Sequence, residues 1–182
     1  MDYQNLLSNL SELSPGQIIA IDGPAGSGKT TLANQLAADI SDVEVIHVDD
    51  LYQGWSDAFS SRLTASVISQ ILLPISQKVD FNYEIYDWRE NKFFKSKLVP
   101  KNKIYILDGV GAGQKPFRQY LTKIIWLNIS DEIGLSRVLQ RDGAEILSPM
   151  QQFQKAQNHH FATDFTENAA DFHYEGVPKT AL

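Results

Sequence analysis

Eight consecutive residues carry the strongest chemical signal in the chain. Gly23-Pro24-Ala25-Gly26-Ser27-Gly28-Lys29-Thr30 fills the pattern G-x-x-x-x-G-K-[ST] at every required position. Glycine at such spacing lets the main chain wrap closely enough to aim several N–H groups at phosphate oxygens. A helix opening after Gly28 adds the positive end of its dipole. Lys29 supplies a mobile charge for the β and γ phosphates, and the Thr30 hydroxyl can ligate Mg²⁺. Residues Gly23 through Thr31 therefore form the expected ATP-binding loop. The bland alternative is a glycine turn with Lys29 merely exposed, but the flanking residues supply the strand and helix that the phosphate reading needs.

Further clusters follow at the ends of other apolar runs. Ile104-Tyr105-Ile106-Leu107 ends at Asp108-Gly109, and a carboxylate there suits a water-bridged Mg²⁺, although Asp-Gly is also a common turn pair. Val48-Asp49-Asp50-Leu51-Tyr52 sets two carboxylates past another run, where one can orient an acceptor hydroxyl and take its proton, help order Mg²⁺, or simply cap a loop. Tyr86-Asp87-Trp88-Arg89 combines groups that can stack a ring, accept from sugar hydroxyls and clamp a phosphate. The same four residues also read as an exposed strand end carrying an ion pair. Arg137 and Arg141, four apart, share a helix face from which cations can fold over a triphosphate; local pairing of Arg141 with Asp142 is the competing reading. His159 and His160 are adjacent, point apart on a helix, and read as a surface or packed pair.

The elements that must position these groups are legible as periodicity. Gln17–Ile21, Val43–Val48, Ile104–Leu107 and Ile124–Ile129 are short apolar runs of buried-strand type, with a shorter candidate at Phe172–Tyr174. Helical spacing appears over residues 3–13, from Lys29, over 56–73 with an end near Pro74, from Asp131, and over 149–162. Residues 80–99 alternate and are aromatic-rich, which predicts strand and loop, with a hairpin as one arrangement. Strands alternating with helices predict an α/β fold with a mostly parallel sheet, whose ligands bind beyond the carboxyl ends of the strands. The clusters after Ile21, Val48 and Leu107 all fall there.

Composition bounds the rest. A chain of 182 residues, 43% hydrophobic and 21% charged, is long enough for one ordinary core and is neither disordered nor coiled-coil. Zero cysteines exclude disulfides, thiolate metal sites and a cysteine nucleophile. Sixteen basic against twenty-two acidic residues, a net charge of −6, argue against a nucleic-acid partner. No apolar run approaches the about 20 residues of a membrane span, and Met1–Asn5 does not open a secretory leader, so no membrane partner and a cytoplasmic location are expected.

Together these stretches resemble the P-loop nucleoside kinases of the uridine kinase type, a branch that includes phosphoribulokinase-like proteins. The resemblance rests on Ile21-Asp22 through Thr31, Asp49-Asp50-Leu51-Tyr52, Tyr86-Asp87-Trp88, Leu107-Asp108-Gly109 and Arg137 through Asp142. The wording of the first stretch is also similar to cytidylate kinases. Residues 1–182 are expected to form one domain, with a leading helix over 1–15 read from its leucine spacing. The resemblance runs through most of residues 17 to 175 and implies a three-layer α/β/α P-loop NTPase fold with a mostly parallel five-stranded sheet and a short lid near 137–150. It implies ATP and Mg²⁺ as cofactors, and Lys29, Asp49 and Arg141 as catalytic residues with Asp49 the base. Asp87 matches the family position that holds ribose hydroxyls. On residue chemistry Arg137 is expected to join the loop in binding ATP, Tyr52, Tyr86 and Arg89 to join Asp49 and Asp87 in binding the acceptor, and Thr30 and Asp108 to serve the metal. Asp108 stands where that family commonly has Glu, and no cation follows Arg141 until Lys155. A small-molecule kinase acting on a nucleoside is the expected activity. A nucleoside monophosphate kinase and a non-catalytic ATP sensor are the alternatives, the former disfavoured by a total of five arginines.

Overall fold

The computed structural model describes residues 1–175. In chain order the elements are α1 (Tyr3–Leu10), β1 (Ile18–Asp22), α2 (Lys29–Asp39), β2 (Val43–His47), α3 (Ser61–Val67) and α4 (Leu73–Ser76). There follow β3 (Phe81–Asp87), β4 (Lys92–Val99), β5 (Ile104–Asp108), β6 (Lys123–Asn128), α5 (Asp131–Asp142), α6 (Leu147–Asp164), α7 (Thr166–Ala169) and β7 (Phe172–Glu175). Five strands form an all-parallel sheet in the order β2-β5-β1-β6-β7, and β3 pairs with β4 in a separate antiparallel hairpin.

The sheet is buried on both faces because its central strands are apolar on both. Ile18 and Ala20 of β1 point into one core with Ile46, Tyr105, Leu107 and Ile124, over which α3 and α6 pack. Ile19 and Ile21 point into the other with Ile106, Ile125 and Leu127, covered by Leu6 and Leu10 of α1 and Leu32 and Leu36 of α2. This is the three-layer α/β/α architecture, and β1 is its switch point, with β5 on one side and β6 on the other. Among the described residues no helix is long and apolar enough to cross a membrane.

The first helix ends at Leu10, short of the expected residue 13, and the stretch 56–73 differs from expectation at both ends. The helix expected over 56–73 starts only at Ser61: Trp55–Asp57 is a separate 3-10 turn, Phe59 takes a left-handed φ of 63°, and Ser60 caps α3 by accepting from the Leu63 amide. It also runs past Pro74 to Ser76. A π-helical turn over Ile68–Leu72, in which the Leu73 amide donates to Ile68 O, absorbs the proline that would otherwise break the ladder.

The connection between β2 and α3 is held by one carboxylate. Asp57 accepts from the Gln53 amide at 2.8 Å, the Ser60 hydroxyl at 2.6 Å and the Nε and Nη2 of Arg62, and the same Nη2 also reaches Leu51 O at 2.9 Å. Arg62 also lies 5.6 Å from the centre of the Phe93 ring, joining this loop to the hairpin. Burial raises the Asp57 carboxyl, but Arg62, Ser60 and the Gln53 amide outweigh it and hold the group at about 2. Because the folded value lies below the ordinary value of about 4, the stabilisation is present above pH 4 and is lost as pH falls through 2. Asp57→Asn is expected to cost roughly 1–2 kcal/mol at pH 7 and to flatten the fall in stability between pH 4 and 2, as read by urea unfolding at a series of pH values.

Candidate active site

The glycine loop leaves the carboxyl end of β1 and closes at the first turn of α2, whose cap position is Gly28. Its course is fixed by two backbone contacts too close for side chains. A Cβ on Gly26, where φ is +78°, would lie 2.3 Å from Gly134 O of α5, and a Cβ on Gly134 would lie 2.5 Å from Ala25 O. Gln157 of α6, fully buried, accepts from the Ala25 amide at 2.8 Å. Below the loop, buried Asp22 accepts from the amides of Gly23, Gly111 and Gly113 at 2.7, 2.9 and 2.8 Å, tying the loop to the chain after β5. Burial pushes the Asp22 carboxyl up to about 6, against the pull of those amides and of Lys29.

Lys29 is buried, and its ammonium donates to Gly23 O and Pro24 O, each at 2.9 Å. Among the described residues it forms no ion pair, and the buried Ser27 hydroxyl has no hydrogen-bond partner. Burial lowers the Lys29 pKa, while Asp49, Asp22 and Asp108 raise it. A buried ammonium bonded only to main-chain carbonyls, beside an unsatisfied hydroxyl at the N-terminus of α2, is a site for a polyanion.

The strand ends meet the loop from the other side. Thr30 donates to Asp108 Oδ2 at 2.8 Å, and Asp108 Oδ1 contacts Nδ1 of His47, which faces it in the β2–β5 register. The hydrogen bond to Asp108 raises the His47 pKa, with burial opposing. No group of three or more His, Asp or Glu converges on a metal position among the described residues. A cation here would be held by the Thr30 hydroxyl, with Asp108 behind it and phosphate oxygens supplying other ligands. The donor set is all oxygen and fits Mg²⁺.

A cavity of about 740 Å³ opens beside the loop. Lys29, Thr30 and Thr31 line one end, and Asp49, Tyr52, Trp88, Arg89 and Arg141 line the remainder. Asp49, unlike Asp50, faces this space. Crowding by protein raises the Asp49 pKa, Lys29 opposes, and Asp108 raises it further; its exposure to cavity water tempers the shift. The Tyr52 hydroxyl donates to Val110 O at 2.9 Å, which sets its ring in the wall. Trp88 Nε1 donates to Asp49 O at 3.3 Å, so the hairpin turn is anchored to the β2 turn. Arg141 forms a two-point pair with Asp142 at 2.7 and 2.6 Å, so the local pairing and the position in the cavity wall coexist.

Three expected site residues stand elsewhere. Tyr86 is buried behind the wall, its ring against Trp88 and Phe93 and its hydroxyl on Asn91 Oδ1 at 3.4 Å. Asp87 accepts from the amides of Arg89 and Glu90 at 2.9 and 3.1 Å, capping the hairpin turn outside the cavity. Arg137 reaches Gly26 O at 3.4 Å along the outer edge of the loop. The region 137–150 is the end of α5, a 3-10 turn over Ala144–Ile146 and the start of α6. His160 packs its ring on Phe59 at 4.4 Å, and His159 is exposed.

The sequence reading assigns no role to Asp22, His47, Trp55, Phe153 or Gln157. Trp55 meets Trp88 at 5.3 Å and Phe153 at 6.0 Å, so three aromatic residues from three elements wall the cavity opposite the loop. Only Gln157 leaves a trace in the pattern, as a polar residue on the helix face that buries Met150 and Phe153.

A family model described as an AAA domain matches residues 19–152. The chain is 27% identical to a cytidylate kinase of Sulfurisphaera tokodaii over 143 residues, 79% of this chain and 72% of that protein. It is 49% identical to ABC transporter G family member 7 of Arabidopsis thaliana over 49 residues, 26% of this chain and only 7% of the transporter. Among solved structures, a protein from Bacillus stearothermophilus described as a possible uridine kinase superposes with a TM-score of 0.73 at 18% identity, covering 94% of this chain and 96% of that one. That likeness establishes a shared P-loop fold.

The backbone contact between the loop and α5 leaves no room for a methyl group. Gly134→Ala is expected to destabilise the protein by about 1–3 kcal/mol, the range of overpacking, as read by chemical unfolding. The same exchange at Gly16, which has nothing within 4 Å but a φ of +92°, isolates the cost of backbone strain alone.

Proposed function

The chain belongs to the AAA domain family, and within it we propose an ATP- and Mg²⁺-dependent kinase that phosphorylates a hydroxyl of a small metabolite, a nucleoside fitting best. The observation that carries this reading is one cavity holding both a buried, anion-seeking Lys29 at its loop end and an Asp49 carboxylate facing an aromatic wall. A phosphate site alone would serve hydrolysis or sensing. A carboxylate beside a ring-binding pocket provides for an acceptor.

In this mechanism Lys29 exchanges the carbonyls of Gly23 and Pro24 for the β and γ phosphates, and the loop amides with the α2 dipole hold the remaining oxygens. Bound Mg²⁺, held by Thr30 with Asp108 behind it, supplies charge neutralisation on those oxygens. Asp49 orients the acceptor hydroxyl and accepts its proton as the oxygen attacks the γ phosphorus; the bond to the β–γ bridging oxygen breaks and ADP leaves. Crowding that raises the Asp49 pKa makes it a better base than an ordinary aspartate. Arg141, turned from Asp142, stabilises charge on the moving phosphoryl group. Tyr52, Trp55, Trp88 and Phe153 hold the flat part of the acceptor.

One observation favours a second reading, in which the acceptor is a nucleoside monophosphate. Arg89 lines the cavity without a carboxylate partner among the described residues and is placed to meet an acceptor phosphate. A coupled assay of ADP release over uridine, cytidine, their monophosphates, ribose and glycerol, with magnesium omitted as a control, separates the two. Release with nucleosides supports the first reading, release only with monophosphates the second, and silence across the panel with intact ATP binding rejects both.

Lys29→Ala is expected to abolish ATP binding measured by calorimetry; wild-type affinity in that variant would overturn the loop assignment. Asp49→Asn is expected to keep ATP affinity while lowering turnover about 10²-fold or more with the best acceptor.

A further inference from the structure

We infer that His47 is a positioning residue for the magnesium shell: its imidazole holds one oxygen of Asp108 so that the other stays on Thr30. The inference rests on the reading of Thr30 and Asp108 given above. Asp108 ends β5 almost wholly buried, at 2% exposure. Its Oδ2 accepts from the Thr30 hydroxyl at 2.8 Å, and its Oδ1 meets His47 Nδ1. Both oxygens are therefore engaged and the carboxylate has one orientation.

The arrangement is set by the sheet. His47 and Asp108 are register partners on adjacent parallel strands, so the contact depends on backbone pairing, not on a flexible loop. Without the imidazole, Oδ1 would be a buried acceptor with no donor, which is costly. Asp49 and Asp50 also repel the Asp108 carboxylate, which adds to the cost of leaving it without its imidazole partner. A cation reached through water or through the threonine hydroxyl is bound well only when the group behind it is fixed. Loss of such outer partners typically costs 10–100-fold in metal affinity.

A purely structural histidine would satisfy Asp108 for folding and leave magnesium behaviour alone. The two roles separate in calorimetric titrations of the whole chain with ATP, in EDTA and in MgCl₂, with the thermal midpoint recorded for each state. His47→Ala is expected to keep ATP affinity in EDTA and to lose about tenfold of the affinity gain that magnesium brings. The extra thermal stabilisation by ATP with magnesium over ATP alone should shrink in parallel. His47→Asn, whose amide nitrogen sits where Nδ1 does, should restore the gain, and His47→Gln, one carbon longer, should not. If His47→Ala does not fold, the Asn and Gln variants carry the comparison. A wild-type magnesium gain in His47→Ala, or equal behaviour of the Asn and Gln variants, would overturn the proposal even if the ligand-free protein melted lower. Asp108→Asn distinguishes failure of the underlying reading. If that variant keeps the full magnesium gain, Asp108 does not serve the metal and both assignments fall together.

Discussion

A buried ammonium without a carboxylate against it is the constraint on which this molecule turns. Lys29 sits inside the loop it belongs to, bonded to two main-chain carbonyls, with the first-turn amides of α2 and an unsatisfied Ser27 hydroxyl around it. That arrangement is stable only because the surrounding chain is over-determined. Asp22 gathers three amides beneath the loop, Gln157 holds Ala25 from α6, and Gly134 lets α5 touch the loop backbone directly. Each of these contacts comes from a different part of the chain. Together they preform a polyanion site before any anion arrives, so little ordering is left to be done on binding.

The same parallel pairing that builds the sheet sets the chemistry at its edge. β1, β2 and β5 end at one level, so the glycine loop, the Asp49 turn and Asp108 converge without any long-range loop having to bring them together. The aromatic wall of the cavity is built otherwise, from two turns and a helix that lie outside the sheet. Trp55 comes from a turn stapled by Asp57 and Arg62, Trp88 from the hairpin tip, and Phe153 from α6. Arg62 touches both the Asp57 turn and Phe93 of the hairpin, which couples the two tryptophan-bearing segments. In the proposed function, phosphate recognition would rest on the backbone of the loop, and acceptor recognition on aromatic side chains from two turns and α6.

Much of the architecture was legible because it follows from local periodicity. Apolar runs of three to six residues ended within a residue or two of the observed strands, and the alternating segment 80–99 became the hairpin. The exceptions have physical causes. Phe59 in a left-handed conformation and the π-helical turn before Pro74 reshape the stretch 56–76, and neither leaves a pattern in hydrophobicity. Tyr86 and Asp87 share a short motif with Trp88 and Arg89, but strand alternation and a capping bond send the first two away from the cavity that the latter two line.

The sequence by itself determined that a loop of main-chain amides and one lysine would stand at the carboxyl end of a buried strand, since those properties depend on residues adjacent in the chain. It also determined that carboxylates would follow two other strands at the same level. Only the tertiary structure decided that Asp49 and not Asp50 faces the cavity, that Asp108 is shared between Thr30 and His47, and that Trp55, Trp88 and Phe153 meet. Those relations join residues tens of positions apart, and they depend on strand register, turn geometry and side-chain packing, for which a one-dimensional spacing has no code.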